Sequence, residues 1–293
     1  MGTEKEIDLL SPCSDYIFKN IFGKESHKRA LISLINSILD GKPLIKDVVI
    51  ENSEIPKDLP KGRSVRLDVR ATASDSTKIN IEIQCCDDGR IINRSAFYQS
   101  KMMLEGLKES EEFDSLPNMI SIWLANYDET KRKYHTHEAV YTFKETPLDS
   151  AEVATDKFRT FIVELPKVDI RQENISKVFK AWVYFLRNPE EIPPEFLSIP
   201  EVEEAMTELK RVSQNPKVRR IYNERMWLQD LERNAKAHSY NLGVKEGRME
   251  GRIEGELSKA RNMARKLLLR GMDLNDVIDI TGLDKKDIIN LMN

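Results

Sequence analysis

The sequence predicts an α/β domain followed by a helical region and a patterned tail. Three observations carry this reading: apolar residues at helical spacing near the start, two short alternating segments joined by a polar turn cluster, and a charge-rich rear half without strand-like runs. With 293 residues, 40% of them apolar and 32% charged, the chain is long enough for about two domains with real cores, which excludes a disordered chain. No stretch approaches the roughly 18 uncharged apolar residues of a membrane span, and Met1–Leu10 carries Glu4, Lys5, Glu6 and Asp8 where an export signal needs an apolar run. Cys85 and Cys86 are adjacent and there is no C-x-x-C pair, so the three cysteines predict reduced thiols rather than a disulfide framework or a zinc site. A soluble, cytoplasmic protein is expected. The net charge of −3 hides an asymmetry: −8 over residues 1–207, +8 over 208–270 and −3 over 271–293. A polyanion would be gripped mainly by the rear half.

Ser11-Pro12 reads as a helix start, with Ile17, Phe18, Ile21 and Phe22 at helical spacing up to Gly23. A second helix runs from about His27 to Leu39, buried through Leu31, Leu34, Ile35, Ile38 and Leu39. The period then changes: Lys46 to Glu54 contains Val48-Val49-Ile50, a strand signal, followed by a loop punctuated by Pro56, Pro60 and Gly62. In Val65–Ala71 and in Ile79–Gln84 the odd positions are apolar and the even ones polar, with Ala73–Thr77 as a turn between them. A hairpin centred on Asp75 places Asp68 opposite Glu82, Arg66 opposite Gln84 and Arg70 opposite Asn80, all on one polar, half-exposed face.

Asn93–Leu107 is a helix candidate, Asn118–Tyr127 a strand buried on both faces, and Ala139–Phe143 and Thr160–Leu165 further strands. Helical patterns follow at Ser176–Leu186, Val202–Val212 and Val218 to about His238. Glycine then recurs every fourth residue at Gly243, Gly247, Gly251 and Gly255. Each costs a helix interior about 1 kcal/mol against Ala, so either close packing offsets that or the segment is flexible. Leu274–Ile280, Thr281-Gly282 and Asp284–Leu291 resemble a miniature helix-turn-helix whose net acidity favours docking or dimerisation over reading DNA. The expected domains are residues 1–168, 169–238 and 239–293.

Two carboxylates directly across a strand pair have Cβ atoms about 5 Å apart and can share one hard divalent cation. Asp68 and Glu82 meet that condition, and Gln84 shares their side, where its amide can orient a water or a phosphate oxygen. The same residues also fit a solvated hairpin face balanced by Arg66 and Arg70. His135-x-His137 beside Lys131-Arg132-Lys133-Tyr134 shows no third ligand and reads as a solvated loop or strand end.

The segments Ser14–Gly23, Arg66–Val69, Asn80–Gln84 and Arg94–Lys101, in that order and spacing, resemble the recombination-promoting nuclease and transposase-associated family of the PD-(D/E)XK nuclease superfamily. The resemblance spans roughly the first 170 residues, and the Glu-Gly tail with its terminal helical pair is similar to that of many members. It implies a restriction-endonuclease-like mixed sheet flanked by helices. It also implies a metal-dependent DNA endonuclease, linked to recombination or mobile-element DNA, using Mg²⁺ or another divalent cation such as Mn²⁺ or Ca²⁺.

Carried over by position, it makes Asp68, Glu82 and the Ile83 carbonyl metal ligands, Asp15 an outer acidic partner, and Arg94 and Tyr98 phosphate contacts or braces of the sheet. The sequence departs from the superfamily at Gln84, where lysine is usual; an amide supplies neither a proton-accepting amine nor a positive charge, so water activation rests more on the metal. A homodimer is expected, because two active sites suit double-strand breakage. The rival reading is a catalytically silent DNA-binding or oligomerisation protein that keeps the fold, and no sequence feature separates DNA from RNA as substrate.

Overall fold

The computed structural model describes residues 7–39, 44–55, 65–85, 89–106, 112, 115–127, 140–145, 155–173 and 175–291. The loop marked by Pro56, Pro60 and Gly62, and Cys86, lie outside them. The chain divides into two units, Met1–Asn223 and Glu224–Asn293; the expected boundary at residue 168 falls inside the first.

The first unit opens with helices α1 (Asp15–Phe22) and α2 (Lys28–Leu39). Strands β1 (Val48–Ile50), β2 (Glu54–Ile55), β3 (Val65–Arg66), β4 (Val69–Ala73) and β5 (Lys78–Gln84) precede helix α3 (Ile91–Gly106). After it come β6 (Met119–Ala125), β7 (Val140–Glu145) and β8 (Thr155–Glu164), then α4 (Lys177–Arg187), α5 (Pro194–Leu197) and α6 (Pro200–Gln214). Among the described residues six strands form one mixed sheet in the order β1-β4-β5-β6-β8-β7, with β5, β6 and β8 parallel and the other pairs antiparallel. This is the expected restriction-endonuclease-like α/β architecture.

The hairpin register is the one the turn predicts, with Val69 opposite Ile81 and Arg70 opposite Asn80. Two expectations fail around it. Arg66 does not face Gln84: the chain leaves the ladder before β4, and Arg66 pairs with Glu54 in the separate β2-β3 pair, where its guanidinium lies 3.7 Å from the Glu54 carboxylate. The polar face of the hairpin is also not half-exposed. Asn80 and Glu82 are buried: α3 packs on this face of the sheet through Ile91, Tyr98 and Met102, the helical core covers the other face, and β5 has β6 on its second edge.

One face carries Val69, Ala71, Ile79, Ile81, Ile83, Ile120, Ile122 and Leu124. With Phe18, Phe22, Leu34, Trp182, Phe185 and Leu209 from the helices they form a single large core. The opposite face packs Met119, Trp123 and Ile162 under Ile91, Tyr98 and Met102 of α3. α4 and α6 belong to the first core, which is why the compact unit runs on past the last strand.

The first helix starts three residues later than Pro12 suggests. Ser11–Ser14 is a turn closed by the Ser14 amide on the Ser11 carbonyl (3.1 Å), and Asp15 opens the helix. Buried contacts fix that entry: Leu10 N–H donates to Ser213 Oγ (2.9 Å), Cys13 Sγ to the Leu186 carbonyl (3.1 Å), and Cys85 Sγ to the Cys13 carbonyl (2.8 Å). The start of α1 is thereby tied to the end of β5.

In the second unit, helix α7 (Pro216–Leu269) runs unbroken through the four tail glycines, although it begins within the first unit. Among the described residues a Cβ added at Gly243, Gly247, Gly251 or Gly255 meets nothing within 4 Å, so no close packing there offsets the cost of the glycines. Helices α8 (Leu274–Thr281) and α9 (Lys285–Asn290) bury Val277, Leu283 and Ile288 with Ala264. Gly282 ends α8 at φ +66°, a conformation that favours glycine, and its amide returns to the Ile278 carbonyl (2.8 Å).

Glu208 on α6 holds the segment after α1 in place. Its carboxylate accepts from Arg211 Nε and Nη2 (2.6 and 2.7 Å) and from Lys24 Nζ (3.1 Å), and these cations keep its pKa down at about 2 against the opposing effect of burial. A carboxylate whose pKa is depressed in the fold stabilises above its unfolded value and loses that contribution as the pH falls through the folded one. Glu208→Gln should therefore cost about 1 kcal/mol in urea unfolding at pH 7, with the gap to wild type narrowing between pH 4.5 and about 2.

Candidate active site

The site lies where β4 and β5 part. Asp68 sits in the bend just ahead of β4, Glu82 on β5, and the continued hairpin register sets them across from each other. They interlock through the backbone: the Asp68 amide donates to Glu82 Oε1 (3.2 Å), and the Ile83 amide donates to Asp68 Oδ2 (2.9 Å). Neighbouring residues of a strand send their backbone groups to opposite edges. The Ile83 carbonyl therefore faces the Asp68 edge, while the Gln84 carbonyl accepts from Asn126 N–H (2.9 Å) on the β6 side.

The pair is electrostatically strained. Burial raises the Asp68 pKa to about 6, aided by the charge of Asp15, against the Ile83 hydrogen bond and the cations Arg94 and Lys19. Glu82, 2% exposed, is pushed well above the usual carboxylate range by burial and then by Asp68, with Arg94 and the Asn80 amide opposing. Two neighbouring carboxylates, Glu82 buried and Asp68 half-buried, that resist joint ionisation attract a compensating cation. Together with the Ile83 carbonyl they are hard oxygen donors, and Mg²⁺ is held by one or two carboxylates with water filling the remaining positions. The donor set fits such an ion. Among the described residues no group of three or more His, Cys, Asp or Glu side chains forms a candidate metal site, so Asp15 does not join the pair as a third ligand. Its Oδ1 accepts from the Tyr16 amide (2.7 Å), and its charge reaches Asp68 through space.

α3 closes the site from above. Arg94 Nη1 donates to Gln84 Oε1 (2.9 Å), Nη2 lies 3.5 Å from Glu82 Oε2, and Nε donates to Tyr98 Oη (3.2 Å). Its guanidinium carbon stands 4.9 Å from the Trp123 ring centre, and Tyr98 stacks on Trp123 at 5.9 Å and 18°. Arg94 and Tyr98, one helical turn apart, thus reach the acids and the sheet together.

Three contributors escape sequence reasoning. Lys19 lies one turn after Asp15 and donates to Ser53 Oγ, so helical spacing could have found it. Asn80 shares the parity of Glu82 and was readable only as a partner of Arg70. Trp123 sits in a continuous apolar run where parity carries no signal. The His135-x-His137 pair and its basic neighbours lie outside the described residues.

Residues 12–237, about three quarters of the chain, match the family described as PD-(D/E)XK nuclease family transposase. The chain belongs to that family. Residues 257–293 match the C-terminal helix-turn-helix domain of the Rpn/YhgA-like nuclease family, in accord with α8, the Gly282 turn and α9. Comparison with curated proteins and with solved structures gives no match. The PD-(D/E)XK assignment covers the sheet, α3 and the helical layer alike.

The raised pKa of Asp68 gives this PD-(D/E)XK site a pH signature. A carboxyl whose pKa rises on folding favours the fold while protonated, and the penalty grows from pH 3.8 to about 6 and persists above. Without divalent cations, Asp68→Asn should melt a few degrees above wild type at pH 7.5 and level with it near pH 4, as scanning calorimetry will show.

Proposed function

We propose that the protein is a divalent-metal-dependent endodeoxyribonuclease that hydrolyses phosphodiester bonds in DNA, in the setting of recombination or mobile-element DNA. The observation that carries this reading is the interlocked Asp68–Glu82 pair, half-buried and buried respectively, whose mutual repulsion a cation relieves. Asp68, Glu82 and the Ile83 carbonyl would hold the ion, Mg²⁺ or a similar cation such as Mn²⁺ or Ca²⁺. When bound, the ion polarises the scissile phosphate and lowers the pKa of a water.

The chain's own residues do the rest. Gln84, at the last position of β5, orients a water or a phosphate oxygen through its amide. Asp15 adds negative potential that favours cation binding, and Arg94 and Tyr98 meet the phosphate from α3. The apolar core beneath holds these groups to their positions.

A homodimer fits the tail. Leu228, Leu231, Leu242, Met249 and Ile253 are exposed on α7, and among the described residues a Cβ added at its four tail glycines meets nothing within 4 Å. Two nuclease sites in one particle suit cutting of both strands. A cytoplasmic location fits the thiols of Cys13 and Cys85, each of which donates to a backbone carbonyl; among the described residues no helix is long and apolar enough to cross a membrane.

The second reading is a catalytically silent DNA-binding or oligomerisation protein. It is favoured by Gln84 in place of lysine and by the lack of a third carboxylate ligand among the described residues.

Incubation with supercoiled plasmid separates the two. The nuclease reading predicts cleavage with Mg²⁺ or Mn²⁺, none with chelator, and a loss of at least about 100-fold in Asp68→Ala and Glu82→Ala. Absence of cleavage of duplex, single-stranded DNA and RNA in any metal establishes the silent reading, and cleavage confined to RNA transfers the activity to that substrate. Sedimentation should give a dimer for the full chain; a monomer with the tail intact retires the dimer.

A further inference from the structure

We infer that Arg94 is a positive group of the active site that serves as counter-ion to Glu82 until a divalent cation replaces it and then binds the scissile phosphate. This inference rests on the nuclease reading and specifies how one residue serves it.

Gln84 leaves the end of β5 without a cation of its own. The guanidinium that reaches this place comes from another element, α3, and meets the two acid-strand side chains together: Gln84 Oε1 at 2.9 Å and Glu82 Oε2 at 3.5 Å. The two contacts differ in kind. The bond to Glu82 is an attraction between charges, and a divalent cation on the same carboxylate cancels it. The bond to Gln84, the bond to Tyr98 Oη and the seat on the Trp123 and Tyr98 rings involve neutral partners, so cation binding leaves them intact.

Arg94 is thus built to let go of one partner and keep the others. Its side chain is 32% exposed against 3% for Glu82, so the arginine borders solvent, from which a phosphate arrives, while the carboxylate is covered. A planar fork with several N–H donors is suited to a phosphate. Its guanidinium carbon lies 5.5 and 4.9 Å from the Tyr98 and Trp123 ring centres, and these contacts with the Tyr98 hydrogen bond restrain the side chain, so little freedom is lost when the phosphate arrives.

This dual role separates from a bracing role by experiment. A brace, when removed, weakens everything the site does. A displaced counter-ion, when removed, leaves the carboxylates more available to a cation while the phosphate loses its partner. The probe is Mn²⁺ alone, titrated calorimetrically into the full chain, alongside plasmid cleavage at saturating Mn²⁺. Arg94→Met, of similar length and without charge, should bind Mn²⁺ about tenfold more tightly than wild type and cleave at least about 100-fold more slowly.

Arg94→Lys keeps the charge but not the fork. It should bind Mn²⁺ within about twofold of wild type and cleave about tenfold more slowly, and it decides the matter if Arg94→Met does not fold. Unchanged or weaker Mn²⁺ binding by folded Arg94→Met, or wild-type cleavage by either variant, overturns the inference and leaves the nuclease reading standing. Wild type that binds no Mn²⁺ and cuts nothing overturns the nuclease reading itself, and this inference with it.

Discussion

The arrangement depends on one reciprocal contact, in which the backbone of each acid's strand holds the carboxylate of the other. The Asp68 amide binds Glu82 and the Ile83 amide binds Asp68, at the point where the chain enters β4 and β5 runs on past it. Had the ladder continued regularly through Leu67, the Ile83 amide would bond to the Leu67 carbonyl and the Asp68 amide would turn to the β1 edge, and the carboxylates would lose these seats. The departure of the chain toward β3 is therefore what frees the amides. It places two acidic groups side by side, Glu82 buried and Asp68 half-buried, and among the described residues Arg94, Lys19, the Asn80 side chain and the two backbone amides oppose the rise in their pKa values.

The surrounding fold keeps this unfavourable arrangement in place. β5 is paired on both edges and covered on both faces, so Glu82 cannot swing into solvent. The start of α1, with Asp15, is bound to the end of β5 through Cys13 and Cys85, and to α6 through Leu10 and Ser213. Further along the same polar face, Arg70 joins Glu51 after β1 to Glu105 near the end of α3 (2.7 and 2.6 Å), which pins the covering helix to the sheet edge. Stability supplied by the large core on the opposite face offsets the cost of the strained acids.

The sequence made the hairpin and its acids legible because alternation and turn chemistry are local. Once Asp75 is taken as the centre, residue parity places Asp68 against Glu82, and the register through Val69 and Ile81 follows. Nonlocal consequences were hidden. Alternation reports the polarity of a face but not whether another element covers it, so the burial of Asn80 and Glu82 under α3 went unread. The loss of Arg66 to Glu54 depended on a strand of two residues, below the length at which periodicity has meaning. In Met119–Ala125 every side chain is apolar or small, and nothing local marked Trp123 as the floor beneath Arg94. The tail posed the opposite problem: glycine spacing signalled weak helix propensity, yet α7 continues through it with its flanking charged residues forming ion pairs such as Arg252–Glu256.

The central claim, that Asp68 and Glu82 converge on a single cation, is met most directly by diffraction from crystals soaked in Mn²⁺ and recorded at the manganese absorption edge. The account predicts an anomalous peak within coordination distance of both carboxylates and of the Ile83 carbonyl. A fully soaked crystal with no peak there, or with its peak elsewhere in the first unit, contradicts it.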